Sequence, residues 1–325
     1  MAQERNFDTI CDSDVTVAAE FLKSGQVVAI PTETVYGLAC NAFDEYAVSE
    51  VFRLKSRPFF DPLIVHVSQS YNLRGLISEI PPKANLLIEA FWPGPLTVLL
   101  PKTNKVPDLV TSGLPHVAVR MPSHPTTQAL LSIIDFPLAA PSANPFGYVS
   151  PTDASHVIHH FKGRIPFVLD GGPCEVGLES TIVGFDGDSV IIYRLGGLEV
   201  ESIRKVVGEV TVNAISSSNP SAPGMLKSHY APRVPLVIGS PVDYIEKLLG
   251  KRGAYITAKD TSPVSGFDVV PLSISGDDTE AARNLFRVLR ILDDEKYAII
   301  VAEEMPDFGL FRAVNDRLKR AASRD

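Results

Sequence analysis

A short apolar run ends in Pro31-Thr32-Glu33-Thr34-Val35-Tyr36-Gly37-Leu38, bringing two hydroxyls, a carboxylate and a glycine to one strand end. Ligands of α/β sheets sit at strand ends, so this is a place to hold a small polar molecule; a hydroxyl-rich turn capping a helix would use the same residues. Lys55-Ser56-Arg57-Pro58 places two cations at a helix exit that proline ends. There they are expected to be solvent-reachable, either clamping phosphates or complementing the helix dipole. Asp61–Val67 sets His66 in a strand pattern, where a lone histidine is most often structural. Val117-Ala118-Val119-Arg120-Met121 buries one arginine among apolar residues, and that guanidinium needs an anion, from the protein or from a ligand. Leu138–Asn144 is a strand of small residues ending in Ser142 and Asn144, which lets a ligand approach the backbone, and Ser150-Pro151-Thr152 opens a helix. Ser180, in Glu179-Ser180-Thr181-Ile182, precedes a hairpin that closes on Arg194.

Other chemistries find little support. Neither GxxxxGK[ST] nor GxGxxG occurs, so any nucleotide site is built without those loops. His156, His159 and His160 share helical spacing but lack HExxH or a carboxylate pattern and read as a wet helix face. Cys174 has no evident base partner. With Cys11 and Cys40 it forms no CxxC pair, which excludes a disulfide framework and points to a reducing compartment. The net charge of -8 argues against diffuse attraction to nucleic acid or an anionic membrane. The polar start and the lack of any apolar window near about 18 residues lead to the expectation of a cytoplasmic protein that does not enter membranes.

The elements that must position these residues alternate. Strand patterns occur at Val27–Pro31, Leu63–Val67, Leu96–Leu100, Val117–Met121, Pro137–Ala140, Phe167–Asp170, Thr181–Phe185 and Ser189–Arg194. Helical patterns fall at Val15–Ser24, Glu45–Lys55, Pro82–Phe91, Pro125–Ile134, Thr152–Phe161 and Glu199–Gly208. Asp186-Gly187-Asp188 between consecutive strands predicts an antiparallel hairpin, hence a mixed sheet. Asn213–Pro235 has no period and is rich in Ser, Pro and Ala, which marks a boundary, and a second strand–helix alternation with a helix near Val242–Leu249 follows it. Three segments result: residues 1–210, a linker at 211–235, and a smaller parallel α/β domain at 236–325.

Taken in order, PTETVYGLA, KSRPFFDPLIVHV, FWPGPLTVLLP, VAVRMP, AAPSAN, SPT, DGG, GLESTIV and YRLGG closely resemble the YrdC-like superfamily. PGMLKSHYAP and the C-terminal α/β segment resemble its long two-domain form, the threonylcarbamoyl-AMP synthases. The resemblance implies a YrdC-like mixed twisted sheet with flanking helices, plus a smaller Rossmann-like parallel domain. The activity it implies joins ATP, L-threonine and bicarbonate into L-threonylcarbamoyladenylate with release of pyrophosphate, for the t6A37 modification of tRNA. On that reading Lys55, Arg57, Ser142, Asn144, Ser150, Arg194 and Tyr230 contact ATP, while Thr32, His66, Arg120 and Ser180 hold threonine. Mg²⁺ would come with ATP rather than on fixed protein ligands, and a tRNA threonylcarbamoyltransferase complex would consume the product. An RNA-binding translation or ribosome-maturation factor of the same superfamily is the alternative; the net charge disfavours direct, stable RNA binding. Two departures stand out: Leu226-Lys227 follow PGM where the family usually has Lys-Tyr or Lys-Arg, so a phosphate contact from this loop is displaced to Lys227 or lost, and Leu195 stands where the family often has proline. Met225, His229 and Tyr230 suit solvent poorly, so the linker is expected to fold over the cleft as a lid, or else to pack at the domain interface.

Overall fold

The computed structural model describes residues 6–213, 222–223, 225, 229–248 and 250–323. The elements run β1 (Ile10–Asp12), α1 (Val15–Lys23), β2 (Val28–Ile30), β3 (Gly37–Asn41), α2 (Glu45–Lys55), β4 (Ile64–His66), α3 (Pro82–Phe91), β5 (Leu96–Pro101), α4 (Asp108–Thr111), β6 (His116–Arg120), α5 (Pro125–Ser132), β7 (Leu138–Ala139), α6 (Ala154–Phe161), β8 (Phe167–Leu169), β9 (Thr181–Asp186), β10 (Ser189–Arg194), α7 (Val200–Val207) and β11 (Val210–Val212). After the linker come β12 (Leu236–Ile238), β13 (Arg252–Thr257), β14 (Phe267–Pro271), α8 (Asp278–Leu292), β15 (Tyr297–Ala302) and α9 (Phe311–Ala322). Among the described residues no helix is long and apolar enough to cross a membrane.

The first sheet is mixed, in the order β1-β8-β2-β3-β7-β4-β6-β5-β9-β10-β11. Its alternation of faces follows the period of two: Val28 and Ile30 pack with α1 and α5, whereas Ala29 turns to the larger cluster beneath α2 and α6. Helix ends are set locally. Asp44 caps α2 by accepting from the Tyr46 and Ala47 amides, and Ser56 ends it in the left-handed region at φ 53°, just before Pro58. In β10 the register slips between Ile192 and Arg194, a bulge that turns Arg194 inward.

The second sheet is wholly parallel, in the order β12-β15-β13-β14, as the alternation implies. The helix expected near Val242–Leu249 is present as a 3-10 helix at Pro241–Leu248, and Leu249 lies outside the described residues. The sequence patterns also do not reveal β3, the short edge strands β1 and β11, or α4.

The domains share a core. Val35, Val149, Leu178 and Tyr230 belong to the same buried cluster as Phe286, Val314 and Leu318 of α8 and α9. Ala222 and Met225 cover Ile64, Leu99, Ala118 and Ile182, an apolar patch on β4, β5, β6 and β9 that no helix residue joins among the described residues. Removing that surface from water is the reason the linker docks.

Candidate active site

One cavity lies where these strand ends converge beneath the linker. Thr32, Arg57, His66, Arg120, Ser142, Ser180, Arg194 and Tyr230 line it, so most of the sequence candidates meet there. Lys55, Asn144 and Ser150 are buried just behind its wall rather than on it.

The Pro31–Leu38 segment is not a helix cap; it turns from β2 into antiparallel β3. The Thr32 hydroxyl donates to the Val35 carbonyl (2.6 Å) and accepts from the amides of Thr34 and Val35, which folds the turn on itself. Gly37 bridges to Ser142, and a Cβ there would stand 3.2 Å from the Ala140 Cβ; small residues let the two strand ends touch.

His66 and Arg120 are paired in register on parallel β4 and β6. The anion that Arg120 requires is supplied by the protein: Nη2 donates to Glu33 Oε1 at 2.6 Å, Nη1 to the Thr34 hydroxyl at 2.8 Å and Nε to the Gly94 carbonyl at 3.3 Å. Each terminal nitrogen keeps a second N–H, so the arginine can hold Glu33 and still face a ligand. Burial, with Arg120 alongside, pushes the His66 ring down to about 3, so it is neutral at physiological pH.

The expectation that Lys55 and Arg57 would be solvent-reachable is overturned. Ser56 and Pro58 fold the chain exit inward, leaving the two side chains 1% and 8% exposed. Lys55 Nζ donates to the carbonyls of Ser142 and Asn144, both at 2.5 Å, tying α2 to the end of β7. Burial, then the neighbouring Arg57, lowers its ammonium well below the ordinary lysine range. Arg57 pairs with Asp61 at 2.9 Å and donates to the Asp61 and Pro62 carbonyls, while still reaching the cavity.

Arg194 donates from Nε to the Ser180 carbonyl (3.0 Å), from Nη2 to the Ser180 hydroxyl (3.0 Å) and from Nη1 to the Pro223 carbonyl (3.3 Å). It thereby links β10, the start of β9 and the linker, and burial lowers its guanidinium to about 10. Asn144 donates to the carbonyls of Pro145 and Tyr148, and its buried Oδ1 has no partner among the described residues. The Ser150 hydroxyl donates to Glu179 Oε1 at 2.5 Å. Tyr230, buried with φ 65°, sits with its ring centroid 4.1 Å from that of His229 and 5.6 Å from that of Phe286 of α8. Lys227 lies outside the described residues.

The sequence motifs contain Glu33 and Glu179 but assign them no role; Glu33 holds Arg120 of the cavity, and Glu179 pairs with Arg317 of α9, which the sequence reading did not single out. A signal for Arg317 exists: it lies three residues after Val314 and four before Ala321, on the buried face of α9. The histidines of α6 are not simply wet. His159 is exposed, but His156 Nδ1 accepts from the Thr152 amide, and His160 packs on Tyr148 and Arg290 at the domain junction. Cys174 is buried, and burial raises its thiol far above the usual range.

Residues 20–196 match the family model described as telomere recombination, and residues 198–323 match that of the threonylcarbamoyl-AMP synthase C-terminal domain. A threonylcarbamoyl-AMP synthase of Pyrococcus abyssi is 41% identical over 318 residues, covering 95% of this chain and 94% of its own length. The chain belongs to the threonylcarbamoyl-AMP synthase family. The synthase of Bacillus subtilis is also 41% identical, over 324 residues that cover 96% of this chain and 93% of its own. Among solved structures, P. abyssi Sua5 complexed with L-threonine superposes with a TM-score of 0.89 at 38% identity, covering 97% of both chains. Escherichia coli YciO, at 22% identity and a TM-score of 0.52, shares the fold of the first domain.

Proposed function

We propose that the chain condenses L-threonine, bicarbonate-derived CO2 and ATP into L-threonylcarbamoyladenylate and pyrophosphate, the activated intermediate for threonylcarbamoylation of tRNA. The observation that carries this reading is a single cavity in which the hydroxyls of Thr32, Thr34 and Ser180 meet the guanidinium groups of Arg57, Arg120 and Arg194. A synthase with matching architecture crystallised with L-threonine supports the same assignment.

The chemistry asks little covalent work of the protein. The neutral threonine amine adds to CO2 and loses a proton to give a carbamate. A carbamate oxygen then attacks the α-phosphorus of ATP, and the bond to pyrophosphate breaks. Arg120 holds the amino-acid carboxylate while Glu33 and Thr34 fix its plane, and Thr32 and Ser180 border the side-chain pocket, with His66 setting the strand end between them. Arg57 and Arg194 stabilise charge on the phosphates in a site closed to water, and Ser142, Asn144, Ser150 and Tyr230 shape the nucleotide end. Lys55 acts from behind the wall, holding the Ser142–Asn144 backbone. Binding the reactants in order and alignment supplies much of the rate.

Among the described residues no cluster of three or more His, Cys, Asp or Glu side chains could hold a metal ion, and Glu33 and Glu179 are tied to Arg120 and Arg317. Magnesium would enter on the phosphates as part of the MgATP substrate. With its cysteines free, the chain fits a reducing cytoplasm, where a transferase acting on tRNA would consume the labile product.

Pyrophosphate release measured with every combination of MgATP, L-threonine and bicarbonate tests the reading. Release should require all three, and an equal rate with ATP alone would refute it.

A further inference from the structure

Arg317 of α9 is fully buried. Its Nε donates to Glu179 Oε2 at 2.9 Å and its Nη1 to Asp316 Oδ2 at 2.6 Å, while Nη2, also buried, has no partner among the described residues. The guanidinium carbon lies 5.0 Å from the Tyr230 ring centroid, within cation–π range. Glu179 and Tyr230 both line the cavity. The second oxygen of Glu179 accepts the Ser150 hydroxyl, and the Ser150 and Val149 carbonyls accept from Arg290 of α8, at 3.2 and 2.5 Å. Two arginines of the C-terminal domain therefore grip the Ser150–Glu179 wall from behind, and only Arg317 also reaches the aromatic ring contributed by the linker.

Stability alone gives no reason for this cation. A buried ion pair is often no better than well-packed apolar residues of similar volume, and α9 already buries Phe311, Val314 and Leu318 against the shared core. What a leucine could not do is fix a carboxylate and an aromatic face in one geometry.

We propose that Arg317 is a positioning residue of the adenylation reaction, through which the C-terminal domain holds the Glu179 carboxylate and the Tyr230 ring in the arrangement that receives the nucleotide. This rests on the proposed synthase activity, because it assigns that wall to ATP. Of threonine's neighbours, Thr32, His66 and Arg120 have no direct contact with Arg317, and Ser180, next to Glu179 in the chain, has its hydroxyl held by Thr97 and Arg194 instead, so the two substrates should respond differently.

The test uses the full chain with Arg317→Met, Arg317→Lys, Glu179→Gln and the Met/Gln double variant, each read by steady-state kinetics in both substrates and by thermal melting. Misplacing a wall that aligns reactants should raise the ATP KM of Arg317→Met and of Glu179→Gln by about tenfold or more. The threonine KM should stay within about twofold, Arg317→Lys should recover part of the loss, and the double variant should be no worse than the poorer single one, since both remove the same contact. A merely structural role would lower melting temperature and active fraction while leaving the ATP KM of folded enzyme unchanged; that result, or additive effects in the double variant, overturns the proposal. Should Arg317→Met fail to fold, Glu179→Gln and Arg317→Lys carry the same comparison. Calorimetric titration of MgATP into parent and variants separates this inference from the activity. Weaker nucleotide binding in the variants supports it even if the parent releases no pyrophosphate, and unchanged binding, or a parent that binds no ATP, rejects it.

Discussion

Replacing Lys55 by Met probes the hidden half of the cationic motif. Methionine keeps most of the stem but removes the ammonium that donates to the Ser142 and Asn144 carbonyls. A buried carbonyl left without its donor costs about 1–3 kcal/mol, and the two together set an upper range of about 2–6 kcal/mol. The variant also escapes the cost of burying a charge beside Arg57, so a net loss of about 2–3 kcal/mol is expected. Because the domains share a core and melt as one unit, that lowers Tm by about 3–4 °C. The pH dependence adds a sign. Burial depresses the Lys55 ammonium below its ordinary 10.5, so between the depressed value and 10.5 the unfolded chain holds more protons and the parent gains stability as pH rises. Methionine has no such proton, and the gap between parent and variant should widen on the alkaline side. Scanning calorimetry at neutral and alkaline pH reads both effects, and pyrophosphate release below the transition should fall by about tenfold or more as the Ser142–Asn144 backbone slackens. A variant that melts with the parent at every pH would show that the lysine is not the buried tie described here.

Arg120→Lys keeps the charge but loses the planar fork shared with Glu33 and Thr34; it should raise the threonine KM by about tenfold or more with little change for ATP, and an unchanged threonine KM removes Arg120 from the carboxylate site. His66, ordinarily 6.5 and held at about 3, contributes stability that is complete above pH 6.5 and drains away as pH falls toward 3, about 2 kcal/mol of it by pH 5. His66→Gln should flatten that acid limb in pH-dependent denaturant melts, and an identical limb in parent and variant would place the titration elsewhere.

What the sequence made legible follows from periodicity and from motif order. Strands such as β4, β6 and β10 are largely apolar and each ends on a basic side chain, so His66, Arg120 and Arg194 could be placed at strand ends before any contact was known. β3 escaped because Gly-Leu-Ala-Cys is small and buried almost throughout, which gives no alternation to read. Direction escaped too: nothing local says whether cations at a helix exit face water or carbonyls, and for Lys55 and Arg57 the left-handed Ser56 decided it. Arg317 stands more than a hundred residues from Glu179, and a cation on an amphipathic helix reads as solvated until its spacing is compared with the buried stripe. The linker's aromatic and sulfur side chains did announce docking: Met225 covers the face of β4, β5, β6 and β9, and Tyr230 joins the cluster of α8 and α9.

Isotope tracing reveals which atoms the enzyme joins. The purified chain is incubated with MgATP, L-threonine and ¹³C-bicarbonate, and the products are resolved by mass spectrometry. The account predicts an adenylate that carries the threonine skeleton and one labelled carbon, formed in step with pyrophosphate. A threonyl-adenylate without the label, or AMP and pyrophosphate with no threonine-containing adenylate, would contradict it.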